Sequence, residues 1–311
     1  MESIREVRKA VIPAAGLGRR FLPYTVHQPK EMLPLLNRPV IQYVVKEAID
    51  SGIRDIRIIT SEGKGVMQEH FGFGIRARYF KDLAKSAKKY DELNELEELE
   101  EIHANAKFSY SIQPEQNGLG DAVLHAKNFV GDEPFALLLG DDVTFSKREP
   151  CTKTLCRLYG NTGKSVVAVK RVSADEVSSY GIVAVDPEPN YSTYRVRGLV
   201  EKPMPKDAPS DLAIYGRYVL TPGIFSSLER TKHGKNGELQ LTDAMHDLLN
   251  TEDILAHEFD GKRFDLGTPD GWLAANLELA AESSTRYPKT MGVVESCLRS
   301  KGFIKQTRSR K

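Results

Sequence analysis

Apolar residues recur along the chain in two alternating patterns, short continuous runs and longer segments with one apolar face. The runs at 10–15, 56–60 and 135–139 have strand length and end in turn residues, as buried strands do. Between them, 40–49 places Val40, Tyr43, Val44 and Ala48 on one helical face, and Ser51-Gly52 closes it. Helices are predicted at 65–71 and 118–129, and 108–113 alternates as a strand should. Strand and helix in alternation with short links predict a Rossmann-like α/β fold, a mixed, mostly parallel sheet flanked by helices. The second half is richer in β pattern, with strands at 165–172, 181–186, 194–201 and 213–220. Helical segments follow at 223–230, 240–250 and 269–281, and a short helix fits the tail after 286.

One segment has a different character. In 79–106 a basic block (Lys81, Lys85, Lys88, Lys89) precedes an acidic one (Glu92, Glu95, Glu97, Glu98, Glu100, Glu101). A single helix in that order would set both blocks against its own dipole. Two helices broken near Tyr90-Asp91 would instead place the acids at a new N-terminus. Leu93, Leu96 and Leu99 give it an apolar stripe. A solvated helical arm is the plain reading, and a subunit contact the sharper one.

Composition narrows the field. The 311 residues are 40% hydrophobic and 28% charged, with a net charge of only +1, so a broad nucleic-acid-binding face is not expected. Cys151, Cys156 and Cys297 have no metal-site spacing and leave one thiol unpaired, which suits a reducing compartment. Glu2, Arg5, Glu6, Arg8 and Lys9 are too charged for a signal peptide, and no apolar run nears the roughly 20 residues of a membrane span. A cytoplasmic protein is expected, so the sequon Asn190-Tyr191-Ser192 reads as coincidence, and the basic end (Lys305, Arg308, Arg310, Lys311) as solvated.

Chemistry concentrates where the first strand stops. Gly16-Leu17-Gly18-Arg19-Arg20 offers backbone N–H groups that no Cβ shields, then two cations, with Lys30 further on. A triphosphate fits this combination. A dinucleotide fingerprint would need glycine at Phe21, and a P-loop would need Gly-Lys-Ser/Thr directly after the glycines. Gly163-Lys164-Ser165 precedes an apolar run instead of following one, and reads as a loop entering a strand. Asp141-Asp142 follows Gly140 at the end of a buried strand, where open α/β sheets collect ligands and a carboxylate can hold Mg²⁺. Asp265 ends another apolar stretch and is a second candidate ligand.

These blocks resemble the nucleotide-sugar pyrophosphorylases. The opening is similar to their Gly-x-Gly-Thr-Arg-x-x-Pro-x-Thr signature, followed by Pro29-Lys30-Glu31-Met32-Leu33-Pro34. Within that family it resembles the bacterial and archaeal UTP–glucose-1-phosphate uridylyltransferases. The likeness continues through Gln113, 118–123, Gly140-Asp141-Asp142, Tyr180-Gly181, 200–203, Gly216-Arg217-Tyr218 and 237–244, in family order over 9–279. It implies one catalytic domain over 1–286, with a nucleotide-binding part at about 8–145, a sugar-binding part at about 146–286, and a C-terminal tail at 287–311. It further implies transfer of a uridylyl group from UTP to glucose 1-phosphate with Mg²⁺, in a homo-oligomer, dimer or tetramer. Ala15, Gly16, Gly18, Glu31, Gln113, Gly118 and Asp142 would contact the nucleotide, Gln113 and Gly118 reading the uracil edge. Arg20 and Lys30 would stabilise departing pyrophosphate, and Asp141, with Asp265, would carry the metal. Glu201 would bind sugar hydroxyls and Lys202 the sugar phosphate, while Gly181 and Gly216 would line the sugar pocket because a side chain there would meet the hexose.

Two departures stand out: Arg19 where the family usually has threonine, and Val26 where it has lysine. They leave a dTTP-dependent thymidylyltransferase, or another sugar-1-phosphate nucleotidyltransferase, as the alternative. A non-catalytic regulatory paralogue is the alternative of another class. Retention of Lys30, Asp141 and Lys202 argues against that one.

Overall fold

The alternation of apolar patterns is realised in a computed structural model that describes residues 6–186, 192–234, 237–283, 287–301 and 303. Asn190 and Tyr191 of the sequon, Glu2 and Arg5, and the basic end at 305–311 lie outside the described residues. Strand β1 (Lys9–Pro13) leads through single 3-10 turns to the small hairpin of β2 (Pro34–Leu35) and β3 (Arg38–Pro39). Helix α1 (Val40–Asp50), β4 (Asp55–Thr60) and α2 (Val66–Phe71) follow. The insertion is two helices, α3 (Ile75–Ser86) and α4 (Tyr90–Asn105). Asp91 and Glu92 sit in the first turn of α4, where the dipole favours them.

The first half closes with β5 (Lys107–Ile112), α5 (Leu119–Leu124), α6 (Lys127–Val130) and β6 (Phe135–Leu138). The predicted helix at 118–129 is therefore two. The Ala126 N–H donates to Val123 O at 2.9 Å, a three-residue turn that tightens and breaks the run. Then come β7 (Asp142–Phe145), α7 (Cys151–Thr162), β8 (Ser165–Arg171), β9 (Gly181–Val185), β10 (Thr193–Glu201) and β11 (Leu212–Leu220). The chain ends in α8 (Gly223–Arg230), α9 (Leu241–Leu248), β12 (Ile254–Glu258), β13 (Lys262–Asp265), α10 (Pro269–Glu282) and α11 (Pro288–Ser300).

Nine strands form one sheet in the order β5-β4-β1-β6-β11-β8-β12-β10-β9. The part from β5 to β6 is parallel throughout, and from β11 onward antiparallel pairs dominate. The β-rich half thus extends the same sheet instead of forming its own. All nine residues of β11 are buried at its centre. Apolar clusters fill both faces: α1, α7 and α10 pack on one side, and α5, α8 and α9 on the other. No helix of the described residues is long and apolar enough to cross a membrane.

One ion pair fixes α1 to that centre. Arg217, fully buried, donates from Nε and a terminal nitrogen to Glu47 Oε2 at 3.0 and 2.8 Å. Thr144 and Thr152 also donate to the Glu47 carboxylate. Burial alone would raise Glu47, but Arg217 and these donors outweigh it and hold the carboxyl below its usual range.

Candidate active site

The candidate site lies at the carboxyl end of β1. Beyond Pro13 the Ala14 N–H still donates to Ile59 O at 2.7 Å, so the loop leaves the sheet in a fixed direction. Gly18 then turns with φ +63°, and a Cβ there would stand 2.8 Å from Thr25 Cγ2. Thr25 Oγ1 donates to Gly18 O at 2.9 Å, pinning the same turn. Lys64 secures the loop from behind: its Nζ donates to Ala14 O at 2.7 Å and Gly16 O at 2.8 Å, and lies 3.4 Å from Glu31 Oε2. Burial lowers the Lys64 ammonium, and burial raises the Glu31 carboxyl, each against the pull of the other.

The loop borders a pocket of about 580 Å³. Ala15, Gly16, Gly18, Arg20, Lys30, Glu31, Gln113, Gly118 and Asp141 all line it, as does Arg19. Every expected nucleotide or catalytic residue of the first half, except Asp142, is therefore gathered around one space. A larger groove of about 740 Å³ between α1 and α4 contains none of them. Val26 is exposed on its turn and does not line the pocket, so the missing lysine leaves the lining unchanged.

Lys30 Nζ sits 2.5 Å from Asp141 Oδ2. Burial would lower the Lys30 ammonium, but Asp141 and Glu31 override that and raise it. For Asp141, burial would raise the carboxyl, and Lys30 brings it below the usual range. Strands β7 and β13 pair as a short ribbon with Asp265 opposite Asp142, which carries Asp265 to the same edge as Asp141. A Cβ on Gly267 would lie 3.0 Å from Asp141 Oδ2 and 3.0 Å from Asp265 Oδ1. The gap between the two carboxylates is thus kept open by a glycine. No cluster of three or more His, Cys, Asp or Glu suited to a metal occurs among the described residues. Two hard oxygen donors on one gap fit Mg²⁺ in the manner of sites that leave further positions to phosphate and water.

Asp142 departs from expectation. It is 2% exposed, and Arg263 takes both of its oxygens at 2.7 and 2.9 Å, so its side chain is turned away from the nucleotide pocket. The Arg263 guanidinium lies between Tyr180 and Tyr215, at 5.0 and 4.6 Å from the ring centroids. Burial would lower this group, and Asp142 raises it instead.

A second group forms around β9, β10 and β11. Glu201 Oε2 accepts from Thr242 Oγ1 at 2.7 Å, and Lys202 Nζ is 3.3 Å from Glu201 Oε1. Lys202 has φ +45° and an exposed side chain. A Cβ on Gly181 would meet Thr242 Oγ1 at 3.0 Å and Glu201 Oε2 at 3.1 Å. At Gly216, φ +54°, a Cβ would strike Asp142 Oδ2 at 2.2 Å. At Gly216 the protein's own Asp142 carboxylate excludes a side chain whatever the ligand, while at Gly181 a Cβ would be tight against Thr242 and Glu201.

Lys64 and Arg263 were not anticipated. Arg263 has a signal, since residues two apart in a strand share a face and Asp265 is a candidate ligand. Lys64 has none, because nothing local shows that its ammonium reaches 48 residues back to Gly16 O.

Residues 9–282 match the family model described as Nucleotidyl transferase. A UTP–glucose-1-phosphate uridylyltransferase of Streptococcus pyogenes is 44% identical over 280 residues, 89% of this chain and 90% of its own. A UDP-glucose pyrophosphorylase solved with UDP-glucose is 38% identical with a TM-score of 0.81, over 89% of this chain and 99% of that one. A UTP-bound UGPase from Acinetobacter baumannii is 34% identical with a TM-score of 0.83, over 93% and 98%. The family model over most of the chain and these likenesses agree, and the chain belongs to the nucleotidyl transferase family.

Proposed function

We propose that this chain transfers a uridylyl group from UTP to glucose 1-phosphate, giving UDP-glucose and pyrophosphate. The observation that carries the reading is the single pocket in which the glycine loop, Arg20, Lys30 and Asp141 meet. A phosphate oxygen of glucose 1-phosphate attacks the α-phosphorus; that P–O bond forms as the α–β anhydride bond breaks, and pyrophosphate leaves with the electron pair. No covalent enzyme intermediate is needed, so the protein contributes position and charge. Backbone N–H groups of the loop that runs through Gly16 and Gly18 face the triphosphate. Arg20 and Lys30 offset charge on the departing group. Glu201 accepts from sugar hydroxyls and Lys202 holds the sugar phosphate, with Gly181 and Gly216 beside them. Asp141 and Asp265 would hold Mg²⁺, which supplies charge neutralisation between phosphates when bound.

The same reading includes a cytoplasmic location and assembly with further copies, as dimer or tetramer, which light scattering of the full chain tests. Pyrophosphate release from UTP plus glucose 1-phosphate, with and without Mg²⁺, tests the reaction. Asp141→Asn is expected to lower turnover by about a hundredfold or more, because a neutral amide is a poor ligand for a hard cation. Full activity in that variant would move the metal elsewhere. Absence of release with any nucleoside triphosphate would favour a non-catalytic paralogue.

A further inference from the structure

Gln113 is 3% exposed, yet it lines the pocket. Its Nε2 donates to Asp121 Oδ2 at 2.7 Å and to Gly118 O at 3.2 Å. An amide nitrogen has two hydrogens, and both are taken. Asp121 makes the shorter of the two bonds and is the stronger reason the amide does not turn over: a carboxylate only accepts, so a Gln113 oxygen placed against it would be repelled, as it would more weakly by Gly118 O. Asp121 Oδ2 also lies 3.7 Å from His125 Nε2, one turn along α5. What remains of Gln113 is Oε1, which takes no hydrogen bond from the described residues. Two groups therefore stand together at this wall. Gln113 Oε1 is an acceptor, and the Gly118 N–H is a donor with no acceptor among the described residues.

We propose that Asp121 sets base choice by locking the Gln113 amide, so that Oε1 and the Gly118 N–H read the imide edge of uracil. The inference rests on the reading that the base lies at Gln113 and Gly118. Uracil offers an N3–H to Oε1 and a neighbouring carbonyl to Gly118. Cytosine presents a lone pair at N3, which faces Oε1 with like polarity. A C5 methyl is untouched by either contact, so thymine passes the same test. Asp121 acts through Gln113 and is a positioning residue.

The experiment measures kcat/KM of the full chain for UTP, CTP and dTTP, with calorimetric binding of the same nucleotides for any variant too slow to assay. Asp121→Asn keeps the shape but can donate as well as accept, so the shorter of the two bonds no longer fixes the Gln113 amide and only Gly118 O, at 3.2 Å, opposes its turning. The expected result is a UTP:CTP preference lowered about tenfold or more, since a site's discrimination depends on polar groups of fixed polarity. The UTP:dTTP ratio should hold. Asp121→Ala, which removes the carboxylate, should act alike. Gln113→Met should lower the UTP:CTP ratio, and adding Asp121→Asn to it should lower it no further. A UTP:CTP ratio that stays at the parent value in both Asp121 variants, while Gln113→Met lowers it, overturns the role of Asp121. Additive losses in the double variant overturn it too. If Gln113→Met also leaves the ratio unchanged, the placement of the base itself is wrong.

Discussion

Lys64 holds the loop by its carbonyls, and in a trans peptide the carbonyl and the following N–H point in opposite directions. Fixing Ala14 O and Gly16 O at 2.7 and 2.8 Å therefore turns the N–H groups of Ala15 and Leu17 away from Lys64, and both residues line the pocket. Lys64→Met is expected to raise the KM for UTP about tenfold and leave the KM for glucose 1-phosphate near its parent value. Initial rates with each substrate varied in turn would show this, and equal effects on both would refute it. At this scale the sequence was readable where chemistry is carried by the backbone. Gly16 and Gly18 advertise a phosphate loop because their lack of a Cβ is itself the function. Side chains that act across the fold were not readable. Asp142 directly follows Asp141 in the chain, and it is Arg263, 121 residues away, that holds its side chain elsewhere.

Among the elements, α2 carries a pH response. His70 Nε2 lies 3.0 Å from Gln42 Oε1, and its ring meets Phe71 edge-on at 5.0 Å. Burial brings its pKa down to about 4. The unfolded chain binds a proton near the ordinary histidine value while the folded chain refuses it, so stability falls as pH drops from about 6.5 to about 4. Below that window the loss is complete, at roughly 3 kcal/mol for this group alone. Urea unfolding across the window should show His70→Gln with a flatter profile; an unchanged slope would mean the imidazole is hydrated in the native state. Helix and strand assignments were most legible where a single period ran uninterrupted, as in 40–49 and 56–60. The elements that escaped were α7 and the strands β2, β3, β7, β12 and β13. The ribbon strands β7 and β13 are four residues long and pair only with each other, while α7 does carry an apolar face at helical spacing, Cys151, Leu155 and Tyr159, that its pattern offers. Charge order succeeded at the insertion because the helix dipole acts within a few residues.

At the scale of the molecule, the Glu47–Arg217 pair joins a helix of the first half to a strand of the second. Glu47→Gln should destabilise the fold by about 3–5 kcal/mol, because it leaves a buried guanidinium without its counter-charge. The midpoint of chemical unfolding measures this, and a shift too small to detect would mean that water reaches Arg217. The arrangement of strands was legible only in part. Local pattern reveals a parallel α/β half and a β-rich half, but not that β11 inserts beside β6, since strand order is set by long-range pairing.

That insertion has a mechanical meaning. β6 and β11 are matched residue for residue from Phe135 against Leu220 to Leu138 against Arg217. The two substrates would therefore be held over one continuous plate, with no seam at which lobes could swing. Closing over the reactants is then expected at small segments of the rim, the glycine turn on one side and the Lys202 corner, with its positive φ, on the other.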